Sequence, residues 1–266
     1  AVAWGIIFLV ILLSIGVGLN RGISKGAMGS DMTPNSGVRF GLWMTSIPYQ
    51  GYQAGRPLYL AKPQLAQLQQ MVPAIEDIAP AYQNWSKITY KAKVSDGWTL
   101  GISANHFGHF DSRVKILVGR SISGYDTYNR EKVILLSSAK ALHLFGSESY
   151  VDALGKKVSL DDISFTIIGV YEDVKENSGS FIPSTTFEAL YPAAHTIDRV
   201  YAYVPSVRSD KDYKAFEQEL RQALGSMLTF SPDDESAMWG FSNYVNNEKY
   251  NKVVNYFYLF LWIVGL

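Results

Sequence analysis

The first nineteen residues constrain this chain more than any other stretch. Ala1 to Leu19 carries no charge and has Ser14 as its one polar side chain, while Leu, Ile, Val and Phe dominate. A helix of this length spans about 28 Å, close to the ~30 Å hydrocarbon core of a bilayer. Trp4 lies near one end, where an indole can rest at the level of the lipid headgroups. The sequence therefore predicts a transmembrane helix over residues 1–20.

The other end of the chain has a similar character. Val253 to Leu266 carries no charge and begins with aromatic residues typical of a membrane interface. This run is too short to span a bilayer. We interpret residues 251–266 as the start of a second transmembrane helix, in a chain truncated at both ends. One loop of about 230 residues then lies between two membrane anchors, which is enough for one large domain or two small ones.

Composition limits what this loop can do. Charged residues make up 18% of the chain, aromatic residues 14%, and the net charge is zero, as is typical of a folded domain. No basic surplus neutralises phosphates, which argues against nucleic acid as a partner. The lack of cysteine excludes disulfides, zinc–cysteine sites and thiol nucleophiles. The charges that flank the two predicted spans do not determine on which side of the membrane the loop lies, because long domains translocate largely regardless of charge.

Two hairpins are predicted from alternating hydrophobic residues. Residues 88–102 alternate around Asp96-Gly97, which is a strong turn signal. Residues 156–172 predict a second hairpin that turns at Asp161-Asp162. Hairpins and isolated helices, without regular βαβ repeats, indicate the α+β class.

The strongest helical pattern runs from Asp210 to Leu224, with Asp210 as the predicted cap and Glu217 and Arg221 as an i,i+4 pair. Ser231 to Asn247 is polar and aromatic and is interpreted as a connector to the membrane. The remaining predicted elements are Val38–Met44, Pro63–Met71, Val114–Val118, Lys132–Leu136, Ser137–Phe145, Phe181–Pro183, Thr185–Leu190 and Arg199–Val204.

Few residues in the loop suggest catalysis or metal binding. His106 and His109 are three residues apart with Asp111 nearby, but nothing else in this segment supplies a ligand, so a surface loop is the simpler interpretation. His143 and His195 are interpreted as structural. No nucleophile, zinc or phosphate-binding motif is present. We therefore assign no catalytic, cofactor-binding or metal-binding residue and expect no cofactor.

Two Gly-Arg pairs, Gly55-Arg56 and Gly119-Arg120, stand out in the loop. Asp126 follows the second pair, and an Arg120–Asp126 ion pair across a turn is a simpler interpretation than a ligand site. A membrane-tethered domain without a catalytic motif normally senses a signal, binds a partner or transmits force.

Specific segments resemble a known family. In order, they are Gly119-Arg120, Asp126, Lys132-Val133, Leu144-Phe145-Gly146, Leu154-Gly155-Lys156 and Phe165 to Val170. Their order and spacing resemble the periplasmic core domain of MacB-like ABC-transporter permeases, within the FtsX/MacB superfamily, as found in Bacteroidota-like bacteria. The resemblance covers essentially the whole chain. It departs at His106 to Phe110, where the family usually has a tyrosine-bearing segment.

The resemblance implies a fold and a location. The fold is an α+β extracytoplasmic domain of two subdomains, flanked by transmembrane helices, with the periplasmic core domain at residues 21–250. Its porter-like α+β part covers about 30–107 and 196–248, and its inserted, β-rich part covers about 108–195. The chain is then expected in the bacterial inner membrane, with this domain in the periplasm.

The resemblance also implies a non-catalytic permease subunit that forms a homodimer or heterodimer in the lipid bilayer and pairs with a cytoplasmic ABC ATPase. ATP-driven movement of the membrane helices is expected to move the periplasmic domain (mechanotransmission), for export, efflux or envelope processes. A periplasmic adaptor and an outer-membrane channel are further candidate partners. Gly22 to Gly37 and Ser231 to Asn247 are candidate hinges, and Asn243 to Lys252 is a candidate helical stalk.

Other functions fit the same layout. Two spans around a large loop are also typical of the extracytoplasmic sensor domain of a membrane receptor. A lipoprotein-releasing permease of the same superfamily is a second alternative. A membrane-anchored hydrolase is disfavoured, because no nucleophile–base motif is present.

Overall fold

The computed structural model describes residues 37–104, 106–107, 114–146, 150–173, 179–192, 197, 199–242, 244–245, 248–249, 252–256 and 259–260. The predicted first span, the connector up to residue 36 and the chain after residue 260 lie outside the described residues. Within the described ranges, no helix combines the length and the apolar composition needed to cross a membrane.

The described strands form one mixed sheet. They are β1 (Gly37–Leu42), β2 (Asp77–Tyr90), β3 (Lys93–Ile102), β4 (Ile116–Gly119), β5 (Val133–Ser137), β6 (Lys157–Leu160), β7 (Ile163–Tyr171), β8 (Ser180–Pro183), β9 (Arg199–Tyr203) and β10 (Met238–Ser242). The order is β10-β1-β9-β2-β3-β8-β5-β7-β4, and β6 pairs with β2 and β7. The pairs β3–β8 and β5–β7 are parallel, and the others are antiparallel.

Helices pack on this sheet. They are α1 (Lys62–Met71), α2 (Gly124–Tyr128), α3 (Ser138–Phe145), α4 (Ser184–Leu190) and α5 (Asp210–Leu228). Strands and helices interleave along the chain without a regular βαβ repeat, so the predicted α+β class is confirmed.

The long strand β2 joins the two halves of the sheet. Its first residues, Asp77 to Ala81, pair with β9, and Tyr82 to Tyr90 pair with β3. Ile88 of β2 lies opposite Leu160 of β6. β2 and β9 belong to the expected porter-like part and β6 to the expected inserted part, so β2 pairs with strands of both parts. The division into a porter-like part and an inserted part stays a prediction.

Two hydrophobic clusters lie on opposite faces of the sheet. On β5, Ile134 and Leu136 belong to the larger cluster and Leu135 to the smaller one, as the alternation of side chains along a strand requires. The larger cluster also contains buried residues of four helices, namely Leu65, Leu68, Ala141, Leu144, Phe187, Phe216, Leu220 and Leu224. This cluster therefore anchors the helices to the sheet.

The first hairpin is present, but its predicted turn is wrong. The chain turns at Lys91 and Ala92, with Lys91 at φ 54°, and Asp96 and Gly97 lie inside β3. This register places Trp85 opposite Trp98, with the two rings edge-on at a centroid distance of 5.4 Å. Pairing along nine residues of β2 therefore outweighs the local turn preference of Asp-Gly.

The region after β9 also differs from the prediction. Ser209 caps α5, because its Oγ accepts a hydrogen bond from the Asp212 N–H at 3.1 Å, whereas Asp210 is the first helical residue. The predicted connector, Ser231 to Asn247, contains β10, which pairs with β1. The segment is thus built into the sheet over residues 238–242, where we had expected a connector or hinge.

Candidate coupling site at the base of the domain

The first and the last strand of the described sheet have neighbouring ends. β1 begins at Gly37, β10 ends at Ser242, and Val38 lies opposite Ser242 in their antiparallel pair. The Cα atoms of such opposed residues are about 5 Å apart. We call this edge of the sheet the base. Both chain segments that the sequence assigns to membrane helices therefore connect to the domain at its base.

Helical residues follow the base. All described residues among 244–260 are helical, and we call these described residues the terminal helix. Val245 is 3% exposed and belongs to the larger hydrophobic cluster, so the helix begins inside the domain. Farther along, Val253 and Tyr256 are 67% and 71% exposed. The described residues of the terminal helix therefore begin in the core and include exposed apolar side chains farther along.

Asp210 links the terminal helix to α5. Lys249 Nζ lies 3.0 Å from Asp210 Oδ1, and Lys214 Nζ lies 3.0 Å from Asp210 Oδ2. Hydrogen bonds from Lys249 and then Lys214 lower the pKa of Asp210. A carboxylate in the first turn of a helix is also favoured by the helix dipole. The start of α5 thus holds the terminal helix through a solvent-exposed ion pair.

Arg221 connects α5 back to the sheet. Its guanidinium donates to the Asp234 carbonyl oxygen at 3.0 Å and to the Met238 carbonyl oxygen at 2.9 Å. It also forms the predicted i,i+4 pair with Glu217, at 2.9 Å. Met238 is the first residue of β10. Side-chain contacts therefore connect Lys249, α5 and β10 into one continuous unit at the base.

Asp234 ties a distant loop to the same unit. It is 0% exposed, and its carboxylate accepts hydrogen bonds from the backbone N–H groups of Ser46 and Ile47, at 2.6 and 3.1 Å, and from the Ser46 hydroxyl at 2.6 Å. Burial raises the pKa of Asp234, but these hydrogen bonds outweigh burial and the net pKa is lowered. The loop after β1 is therefore fixed to the segment that leads into β10.

The two histidines in the described residues do not form a shared site. His106 is 2% exposed, with its ring edge-on to Tyr201 at 4.5 Å, so the surface-loop interpretation is wrong for this residue. A ring nitrogen of His143 lies 2.9 Å from the Val94 carbonyl oxygen. The other candidates, His109, Asp111 and His195, lie outside the described residues. In the part of the chain that is described, no cluster of His, Asp or Glu could hold a metal ion.

Both Gly-Arg pairs have structural contacts. Arg56 donates to the carbonyl oxygens of Leu228 and Thr229, at 2.8 and 2.6 Å, at the end of α5 where the helix dipole favours a cation. The predicted Arg120–Asp126 ion pair is confirmed, with nitrogen–oxygen distances of 2.5 and 2.9 Å. These contacts explain both arginines without a ligand.

Sequence reasoning missed the contacts that make the base one unit. The spacing of Asp210 and Lys214 is a helical i,i+4 signal, but nothing local indicates that Lys249 shares the same carboxylate. The pairing of β10 with β1 is likewise a contact between distant parts of the chain.

Solved structures share this fold. The extracellular domain of the noncanonic ABC-type transporter YknZ from Gram-positive bacteria matches with a TM-score of 0.61 and 16% identity, covering 77% of this chain and 99% of that one. The periplasmic region of MacB from Actinobacillus actinomycetemcomitans matches with a TM-score of 0.62 and 14% identity, covering 84% of this chain and 94% of that one. A comparison with curated protein sequences finds no match.

The sequence comparison covers most of the chain. The profile of the MacB-like periplasmic core domain matches residues 1–223, which include β1 to β9 and most of α5. The match thus includes the predicted first span and most of the described sheet. The chain therefore belongs to the family of MacB-like periplasmic core domains of ABC-transporter permeases.

Proposed function

We propose that this chain is a permease subunit in the bacterial inner membrane and that its periplasmic domain transmits motion driven by a partner ABC ATPase. The permease forms a dimer with a second copy or a related chain, and ATP hydrolysis takes place in the partner. The motion serves export, efflux or an envelope process, with a periplasmic adaptor and an outer-membrane channel as further candidate partners. The family assignment supports the class of protein.

One observation carries this proposal: the terminal helix is anchored to the domain through the core and through α5. Val245 is buried, and Lys249 contacts Asp210 on α5. A helix that was joined to the domain by a flexible linker alone could turn without moving it. Two attachment points instead couple rotation or tilt of the helix to the domain as a rigid body.

The expected division into subdomains fits this proposal. β1 and β10, which form the base, lie within the porter-like part at about 30–107 and 196–248, as do β9 and α5 beside them. Strands β4 to β8 lie within the inserted part at about 108–195. In this division the porter-like part receives motion at the base, and the inserted part follows through the shared strand β2.

Replacing Lys249 with glutamine is expected to loosen the terminal helix from α5. The hydrogen-exchange rates of the amides at residues 211–214, in the first turn of α5, should rise by up to about fivefold, because an exposed ion pair contributes little stability. The measurement is hydrogen exchange with mass spectrometry on the intact permease, assembled with its ATPase in nanodiscs. Wild type should show protected amides over residues 244–252.

Lys252→Gln is the matched control. Lys252 pairs with Glu248 at 2.6 Å within the terminal helix, so this change removes the same charge without breaking an ion pair to α5. Lys252 acts on Asp210 only through its charge, so this variant should change exchange in the first turn of α5 less than Lys249→Gln does. Unprotected amides over residues 244–252 in wild type, or equal effects of the two variants on α5, would count against coupling through this helix.

A further inference from the structure

A cavity lies between the β2–β3 hairpin and α3, away from the base. Its volume is about 620 Å³, within the range of roughly 300–1,000 Å³ that is typical of small-molecule sites. Trp85, Val94 and Leu142 line it and are 53%, 40% and 42% exposed. The Trp98 ring packs edge-on against the Trp85 ring, with the ring centroids 5.4 Å apart. The cavity therefore has a partly exposed apolar wall.

Lys140 lines the same cavity and is only 1% exposed. An ammonium group has three hydrogen-bond donors. Among the described residues, Lys140 Nζ makes one hydrogen bond, to the Asp96 carbonyl oxygen, at the long distance of 3.5 Å. Burial lowers the pKa of Lys140 by more than the charge of Asp96 raises it. Among the described residues, the ammonium has no hydrogen-bond partner besides the Asp96 carbonyl oxygen, although it lies next to an apolar cavity.

The backbone at the start of α3 does not compete for an anion. The N–H groups of Ala139 and Lys140 donate to the Asp173 carbonyl oxygen and to Ser137 Oγ, at 3.1 and 3.2 Å. Lys140 is the one lysine or arginine among the described residues that line the cavity.

Asp96 limits the charge of the ligand. Its side chain lines the cavity and is close enough for its charge to act on Lys140. Because Asp96 offsets part of the attraction of Lys140, a second negative charge on the ligand gains little Coulomb energy, whereas the cost of removing an ion from water rises steeply with its charge. The site therefore favours a monoanion over a dianion such as a phosphate monoester.

We propose that this cavity binds a monocarboxylate with an aromatic or aliphatic body, with the carboxylate on Lys140 and the body against Trp85, Val94 and Leu142. The site goes beyond the proposed transmission of motion, because it is built from β2, β3 and α3 rather than from the base. A charge-assisted hydrogen bond to the buried ammonium supplies the charge preference, and the apolar wall supplies most of the contact area.

The test uses 4-phenylbutyrate as the probe and the full chain in lipid nanodiscs, with affinity measured by calorimetry. The neutral analogue 4-phenylbutanol and the dianionic 4-phenylbutyl phosphate serve as comparison ligands. We expect wild type to bind the carboxylate at least about tenfold more tightly than the alcohol and more tightly than the phosphate.

Two variants separate the site from the surface. Lys140→Met keeps an unbranched side chain, one atom shorter, and removes the charge, so it should lower the affinity for the carboxylate at least about tenfold and leave the alcohol unaffected. Lys93→Met removes a nearby cation whose Nζ contacts the His143 carbonyl oxygen at 3.1 Å and which does not line the cavity. It should change neither affinity.

Several results would overturn the proposal. Equal affinity of wild type for the acid and the alcohol would show that Lys140 does not select a charge. Full affinity of a folded Lys140→Met variant for the carboxylate would have the same meaning. Tighter binding of the phosphate would refute the monoanion preference, and no detectable binding of 4-phenylbutyrate at millimolar concentration would refute the site itself.

Discussion

Replacing Gly119 with alanine is expected to destabilise the chain by about 3 kcal/mol or more. Gly119 has φ +80°, which costs an L-residue about 1–2 kcal/mol. A methyl group there would also overlap the Ile168 carbonyl oxygen and come within 2.8 Å of the Gly169 Cα. Both neighbours are backbone atoms of β7 and cannot move aside without disrupting its pairing with β4 and β5. Urea unfolding followed by tryptophan fluorescence measures the loss.

Two other glycines separate the causes. Gly155 has φ +72° but open space around its Cα, so Gly155→Ala should show only the conformational cost of about 1–2 kcal/mol. Gly124 starts α2 without a positive φ and without close neighbours, so Gly124→Ala should be neutral or slightly stabilising. A Gly119→Ala variant no less stable than Gly155→Ala would contradict the close approach of β4 to β7.

Replacing Asp126 with asparagine is expected to cost about 2 kcal/mol at neutral pH. The Asp126 side chain is 2% exposed, and a hydrogen-bonded ion pair with Arg120 lowers its pKa to about 2. The Ser123 N–H and hydroxyl also donate to this carboxylate, at 2.8 and 2.6 Å. Removing the charge weakens the bond to Arg120 and the reciprocal cap of α2.

The pH dependence of this effect has a defined sign. Because folding lowers the pKa of Asp126, its contribution is complete above the ordinary carboxyl range and is lost as pH falls toward about 2. The stability difference between wild type and Asp126→Asn should therefore shrink from pH 5 to pH 2. Asp233→Asn, at an exposed carboxylate, should change stability by less than about 0.5 kcal/mol. A difference between wild type and Asp126→Asn that stayed constant over this pH range would show that the ion pair does not stabilise the fold.

These two predictions concern residues by which the sequence resembles its family. Gly119 allows two strands to approach closely, and Asp126 fixes the following helix to Arg120. The Gly-Arg and Asp signature is thus explained by packing and capping. The sequence had favoured this structural explanation over a ligand site.

Local patterns predicted local structure well. The element predicted over Ser137–Phe145 is α3, which Ser137 caps and which ends before Gly146 at φ +70°. The predicted turn of the β6–β7 hairpin lies at Asp161 and Asp162, which have φ 44° and 67°. Each of these features depends on residues within a few positions of one another, so a short stretch of sequence contains all the residues that determine it.

Contacts between distant segments could not be predicted in this way. The predicted register of the first hairpin was wrong because pairing along the strands outweighs the local turn preference of Asp96-Gly97. β10 was missed because its partner, β1, lies about 200 residues earlier in the chain. The ion pair of Lys249 with Asp210 and the cavity around Lys140 also arise only after folding. The base and the cavity therefore had no signal in the sequence beyond the residue types themselves.

The most direct test of the proposed transmission measures distance between the two copies of the domain. Residues 1–266 contain no cysteine, so Gln222→Cys on the exposed side of α5 gives one spin-label site in this part of each copy. The distance between the labels is measured by electron paramagnetic resonance in the assembled transporter, without nucleotide and with ATP bound to a hydrolysis-deficient ATPase partner. We expect the distance distribution to shift when ATP binds. An unchanged distribution, while labels on the ATPase report its closure, would contradict transmission of ATP-driven motion to this domain.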